Sequence, residues 1–142
     1  MKSALNEPMG PTAWLAVDQA RINAFADATG DHQWIHTDAE RAATGPFGRT
    51  IAHGYLTLSL IPHFSQQLFH LELGGARINY GVNQVRFPSA VPVGACLRAQ
   101  ATFVDLRQTT AGAALTTQYV IEINGQHKPA CVAETVTLAL LA

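Results

Sequence analysis

The chain has 142 residues, and 9 Lys and Arg stand against 10 Asp and Glu for a formal net charge of −1. That length suits one domain, residues 1–142, with a core large enough to need neither a metal nor a disulfide as a staple. Charge so close to neutral, with no basic stripe, excludes the electrostatic footprint of a nucleic-acid binder.

Hydrophobic residues make up 48% of the chain and charged residues only 13%, which argues against disorder. So little charge leaves neutral or apolar surface of the kind found at subunit contacts. Cys96 and Cys131 are far apart and match no CxxC pattern, so neither a zinc ribbon nor a redox motif is present. Residues 1–12 carry Asn6, Glu7 and Pro8 where a secretory leader needs an apolar run. The longest uncharged stretch, residues 50–71, is interrupted by histidines, glutamines and Pro62, unlike a membrane span. The expectation is a soluble, reduced, cytoplasmic protein that engages no membrane.

In chain order, residues 14–17 read as a short opening strand. Asp18 is a good N-cap, and Ile22, Phe25, Ala26 and Thr29 follow at helical spacing until Gly30 stops the helix. Thr37 and Glu40 read as the S/T-x-x-E capping box of a short helix through Ala43. Gly45, Pro46 and Gly48 make the next stretch a loop. After His53-Gly54 comes a helix with Tyr55, Leu56, Leu58, Leu60, Ile61, Phe64, Leu68 and Phe69, apolar on nearly every side and so expected to be buried. Pro62 predicts a kink or an early break within it, and Gly74-Gly75 an end.

From Arg77 onward the period becomes two. Leu97, Ala99, Ala101 and Phe103 alternate with polar neighbours, as do Leu115, Thr117, Tyr119, Ile121 and Ile123. Val132, Val136, Leu138 and Leu140 read as the covered face of a last strand, joined to the previous one through Asn124-Gly125. No helix separates these strands, so the sheet should be antiparallel. The predicted class is α+β: an antiparallel sheet wrapped around a long central helix, preceded by a helical overhang.

Groups able to move protons crowd the region between Asp27 and His63. Asp31 follows a helix stop and His36 stands at a helix start, so a carboxylate and an imidazole can converge across one turn. The bland alternative is an Asp that only accepts turn N–H groups beside a packed histidine. Gly54, after His53, opens the apolar helix, where an unpaired N–H without a Cβ in the way can meet a carbonyl oxygen. There, too, the alternative is a tight turn.

The stretch FADATGDHQWIHTDAERA, followed by GRTIAHGYLTLSLI, resembles the signature of MaoC-like dehydratases, the (R)-specific enoyl-CoA hydratases of the hot-dog fold. The likeness extends more loosely through NYGVNQVRFPSAVPVG. Where the commoner pattern has Asn-Pro between acid and histidine, this chain has Gln33-Trp34, as in a subgroup similar to nodulation protein N. The resemblance implies Asp31 as general base on a water, His36 holding that water and exchanging its proton, and the Gly54 N–H on the thioester oxygen. It implies a trans-2-enoyl-CoA as substrate and a (3R)-3-hydroxyacyl-CoA as product, no cofactor or metal, and a homodimer. His53 stands beside Gly54 as a possible oxyanion or substrate-binding group, with a turn-stabilising role as its alternative. Trp34 and Phe47 are candidate walls of the acyl pocket, with plain core as theirs.

Three rival readings stand beside this one. A hot-dog acyl-CoA thioesterase usually carries its acid on the central helix, and no Asp or Glu occurs from Arg41 through Leu71. A metal site at His32 and His36 needs a helical stretch that Gly30 and a Thr37 cap would deny it. A non-catalytic acyl-CoA-binding module has little reason to gather acid, imidazole and oxyanion donor. Arg86 and Arg98 suit CoA phosphates chemically but read as solvated strand charges.

Overall fold

The computed structural model describes residues 4–71 and 75–141. In chain order its elements are β1 (Pro8–Met9), β2 (Leu15–Ala16), α1 (Gln19–Thr29), α2 (Trp34–Thr37), α3 (Ala39–Ala43), α4 (Gly54–Ser59), α5 (Ile61–Leu68), β3 (Arg77–Arg86), β4 (Cys96–Thr109), β5 (Gly112–Ile123) and β6 (Cys131–Leu140). The strands form one antiparallel sheet in the order β1-β4-β5-β6-β3, with β2 also paired to β4. The α+β class and the antiparallel pairing are as the sequence predicts. β1 has no counterpart in the sequence reading. Its two residues are too few for a periodicity, and Pro8 is tolerated because the strand lies at an edge.

α4 and α5 lie against one sheet face. Leu56, Leu60, Ile61 and Phe64 are buried with Leu97, Ala99, Ala101, Tyr119 and Ile121. The central helix breaks at Leu60 because Pro62 lacks an N–H and disfavours helical backbone before it, and so takes the first turn of α5. Its burial is one-sided: Tyr55 is 70% exposed and His63 also faces outward. The helix ends at Leu68, before Gly75; Gly74 lies outside the described residues.

The last strand corrects the sequence reading. β6 turns Cys131, Ala133 and Ala139 to the core, while Val132, Val136, Leu138 and Leu140 are only half-buried on the other face. α4 contacts β6, and a helix can approach a strand closely only over small side chains.

The helical overhang also differs in detail. Asp18 caps α1 as expected, accepting from Arg21 N at 2.9 Å, and Gly30 ends it in the left-handed region at φ 80°. The Thr37–Glu40 capping box does not form. Asp38 caps α3, accepting from Arg41 N at 3.0 Å, while the Thr37 hydroxyl donates backwards to the carbonyls of His32 and Gln33. His36 therefore lies inside the helical turn α2 and not ahead of a helix.

Candidate active site

Two chain reversals bring the site together. After Gly30 the backbone turns through residues 31–33, with long 3.4 Å contacts from Asp31 N to the Thr29 hydroxyl and from Gln33 N to Asp31 Oδ1. The Asp31 residue stays exposed. Farther along, residues 50–52 run beside residues 91–93: Ala52 N donates to Val91 O at 2.8 Å, and Val93 N to Thr50 O at 2.9 Å. That pairing delivers His53 and Gly54 to the head of α4, next to α2.

His36 is 6% exposed and held at both ends. Its Nδ1 lies 2.7 Å from the Ile51 carbonyl oxygen. A carbonyl only accepts, so Nδ1 carries the hydrogen and the neutral ring offers its Nε2 lone pair. The His36 carbonyl in turn accepts from Gln19 Nε2 at 2.7 Å, and Gln19 Oε1 accepts from the buried Thr50 hydroxyl at 2.6 Å.

His53, 3% exposed, is the N-cap residue of α4. Its ring stacks on His36 with centroids 3.8 Å apart and planes 23° from parallel, and Phe25 tilts against it at 4.9 Å. Its Nε2 donates to the Asp31 carbonyl oxygen at 2.9 Å. One ligand atom from each of Asp31, His36 and His53 lies within 4.8 Å of the others. Three such donors invite a metal, but a bound ion sits in the plane of each imidazole about 2.0–2.1 Å from nitrogen. Planes only 23° from parallel meet far beyond that reach, so these two rings are built as a stack and not as a chelate.

Gly54 opens α4, so its N–H has no acceptor inside the helix. A Cβ there would lie 3.1–3.2 Å from the ring of Phe87, just past the end of β3. Phe87, 38% exposed, also meets Tyr55 edge-on at 6.3 Å. The aromatic rings against His53 and Gly54 are thus Phe25 and Phe87. Trp34 instead packs within the overhang, its ring against Gly45 and under the Arg41 guanidinium at 4.3 Å. Phe47 is 49% exposed on the following loop. The sequence shows Phe25 on a helix face, but nothing local in it signals that β3 ends over Gly54. Arg98 is engaged by Glu122 at 2.8 Å and by the Trp14 face at 4.3 Å, while Arg86 is exposed.

Comparison with known proteins gives the same region a context. Residues 1–124 match the family model described as MaoC like domain. The 3-hydroxyacyl-thioester dehydratase Z of Mycobacterium tuberculosis (strain ATCC 25618 / H37Rv) is 48% identical over 139 residues, spanning 96% of this chain and 91% of that protein. Nodulation protein N of Rhizobium meliloti (strain 1021) is 39% identical over 149 residues, spanning 98% and 88%. Among solved structures, the (R)-hydratase from A. caviae involved in PHA biosynthesis matches with a TM-score of 0.73 at 29% identity, over 96% of this chain and 97% of that one. Fold and relatives together make this a hot-dog enzyme of the hydro-lyase class. The chain belongs to the MaoC-like dehydratase family.

Proposed function

We propose that this enzyme adds water reversibly across a trans-2-enoyl-CoA, giving a (3R)-3-hydroxyacyl-CoA. The observation that carries the reading is the meeting of an exposed carboxylate, Asp31, with a buried imidazole whose Nε2 lone pair is left free by the Nδ1 bond to Ile51. A water donating one hydrogen to Asp31 and the other to His36 Nε2 has its oxygen lone pair free for C3 of the enoyl group. As the C–O bond forms, Asp31 takes the proton, and a proton returned from the acid–imidazole pair ends on C2. The Gly54 N–H holds the thioester oxygen while negative charge builds there. No metal or cofactor is needed, since every proton and electron pair comes from water and substrate. The name of the mycobacterial relative supports a 3-hydroxyacyl thioester on the hydrated side of the reaction.

A cavity of about 480 Å³ between α4–α5 and the sheet supports an acyl group of modest length. Leu58 lines it one helical turn beyond Gly54, with Ile61, Leu115, Tyr119 and Thr135. His53, Trp34 and Phe47 drop out as direct substrate contacts in this reading, because His53 turns its ring to Asp31 and the others pack or project in the overhang.

A homodimer fits the edge of the sheet. Among the described residues β3 pairs only with β6 and leaves its other edge open, with Ile78, Tyr80 and Val82 43%, 72% and 48% exposed. A long apolar edge strand is the kind of surface that proteins cover. Among the described residues no helix is long and apolar enough to cross a membrane, and the free thiols of Cys96 and Cys131 suit the cytoplasm.

The test is loss of enoyl-thioester absorbance with crotonyl-CoA and longer enoyl-CoAs. Hydration without release of free CoA supports the reading. Release of free CoA instead supports a thioesterase, and binding without turnover supports an acyl-CoA-binding module.

A further inference from the structure

His53 makes no contact that a thioester would need, yet it is the most enclosed polar ring of the site. It is 3% exposed, with His36 stacked on it and Phe25 packed beside it. Its Nε2–H reaches the main-chain oxygen of Asp31, not the carboxylate. Its Nδ1 is the one buried side-chain nitrogen or oxygen among the described residues without a hydrogen-bond partner.

These facts fix the form of the ring. The Asp31 carbonyl demands a hydrogen on Nε2, so Nδ1 is bare when the ring is neutral. A second hydrogen on Nδ1 would create a buried donor with no acceptor and a charge 3.8 Å from the His36 centroid. The neutral ring with hydrogen on Nε2 therefore satisfies the surroundings best.

We propose that His53 is a positioning residue: its Nε2–H anchors the main chain of Asp31 while its ring face backs the His36 imidazole. One neutral side chain thus sets the spacing between the acid and the imidazole, and the inference rests on the dehydratase reading above. Asp31 needs such an anchor because its own N–H and carboxylate make only 3.4 Å contacts within the turn, while the Thr37 hydroxyl ties down the next two carbonyls, of His32 and Gln33. The sequence separation of 22 residues makes the bond a tie between the overhang and the head of the central helix.

Two substitutions separate the ring's contributions. His53→Gln keeps a donor near the Nε2 position and gives up the stack. His53→Phe keeps a ring and gives up the donor. The expected result is that His53→Phe lowers kcat on the order of 10- to 100-fold, as small misplacements of reacting groups do, while KM for the enoyl-CoA changes by less than about 2-fold. His53→Gln should recover a large part of that loss. Amide hydrogen exchange at residues 31–33 should quicken in His53→Phe and return toward wild type in His53→Gln. Ring-nitrogen NMR of the wild type should show His53 protonated on Nε2 and His36 on Nδ1.

A raised KM with unchanged kcat would make His53 a thioester contact and overturn the proposal. So would unchanged exchange at residues 31–33 in His53→Phe, or hydrogen on Nδ1 of His53. Should His53→Phe fail to fold, the ring-nitrogen spectrum and His53→Gln still decide. An inactive wild type would sink the dehydratase reading alone, since exchange and ring-nitrogen signals report the anchor without turnover.

Discussion

The imidazoles of His36 and His53 are stacked, their centroids 3.8 Å apart, and each bonds one nitrogen to a main-chain carbonyl: His36 to Ile51 and His53 to Asp31. The pair therefore ties the turn after α1 and the short helix α2 that follows it to the strand-like run before α4, across sequence separations of 15 and 22 residues. Of the two nitrogens left over, that of His53 is buried without a partner, so the proposed chemistry falls to His36 Nε2.

His36→Asn tests that division of labour. The Asn amide nitrogen can stand in for Nδ1 and keep the Ile51 bond, but nothing then occupies the Nε2 position. The variant should melt within a few degrees of wild type by circular dichroism. Its kcat should fall about 10²- to 10⁴-fold, the range of a lost acid–base group. Near-wild-type turnover would remove His36 from the chemistry.

Gly54 and Phe87 should be energetically coupled. A methyl group at Gly54 would press on the Phe87 ring at 3.1–3.2 Å, so Gly54→Ala should slow the enzyme and Phe87→Ala in the same chain should restore part of the loss. Neighbouring groups of this kind couple by about 0.5–3 kcal/mol, read as kcat/KM over a double-mutant cycle. Strict additivity would show that Phe87 does not limit the space at Gly54.

Stability should fall at alkaline pH. Burial pushes the Cys131 thiol up to about 11 from 9.0. Burial also pushes Tyr119 up to about 12 from 10.0, against the opposing hydrogen bond with Ser65. The unfolded chain loses these protons first, so the contribution is complete below pH 9 and is lost as pH rises through about 11 and 12. Urea midpoints should decline over that window, and Cys131→Ala should flatten the decline between pH 9 and 11. A variant as steep as wild type would mean that the thiol has no part in it.

Asp38 rather than Thr37 should carry the cap of α3. Asp38→Ala is expected to cost about 1 kcal/mol by denaturant unfolding. No change would return the cap to water or to another group.

The elements legible in the sequence are those whose signals are local. The Asp18 cap, the Gly30 stop and the alternation of β4 and β5 each depend on neighbours a few residues away, and each forms. β6 misleads because closeness to α4 favours Cys131 and Ala133 inward and leaves the branched side chains outward, the reverse of simple hydrophobic alternation. Two adjacent hydroxyl and acidic residues, Thr37 and Asp38, both suit a cap, and the Thr37 bonds back to residues 32 and 33 decide between them. In the site, Asp31 and His36 are legible as proton-moving groups across one turn, and His53 and Gly54 as the start of the apolar helix. What His53 bonds, and that Phe87 covers Gly54, depend on how β3 and the overhang meet α4, which no local pattern encodes.

The central claim is that Asp31 and His36 add water to an enoyl thioester on one face. The most direct measurement compares wild type with Asp31→Asn on crotonyl-CoA, with chiral analysis of the product. Formation of (3R)-3-hydroxybutyryl-CoA by wild type, and kcat lower by about 10²- to 10⁴-fold in a folded Asp31→Asn, is the expected result. The (3S) product, release of free CoA, or an Asp31→Asn variant as fast as wild type would contradict it.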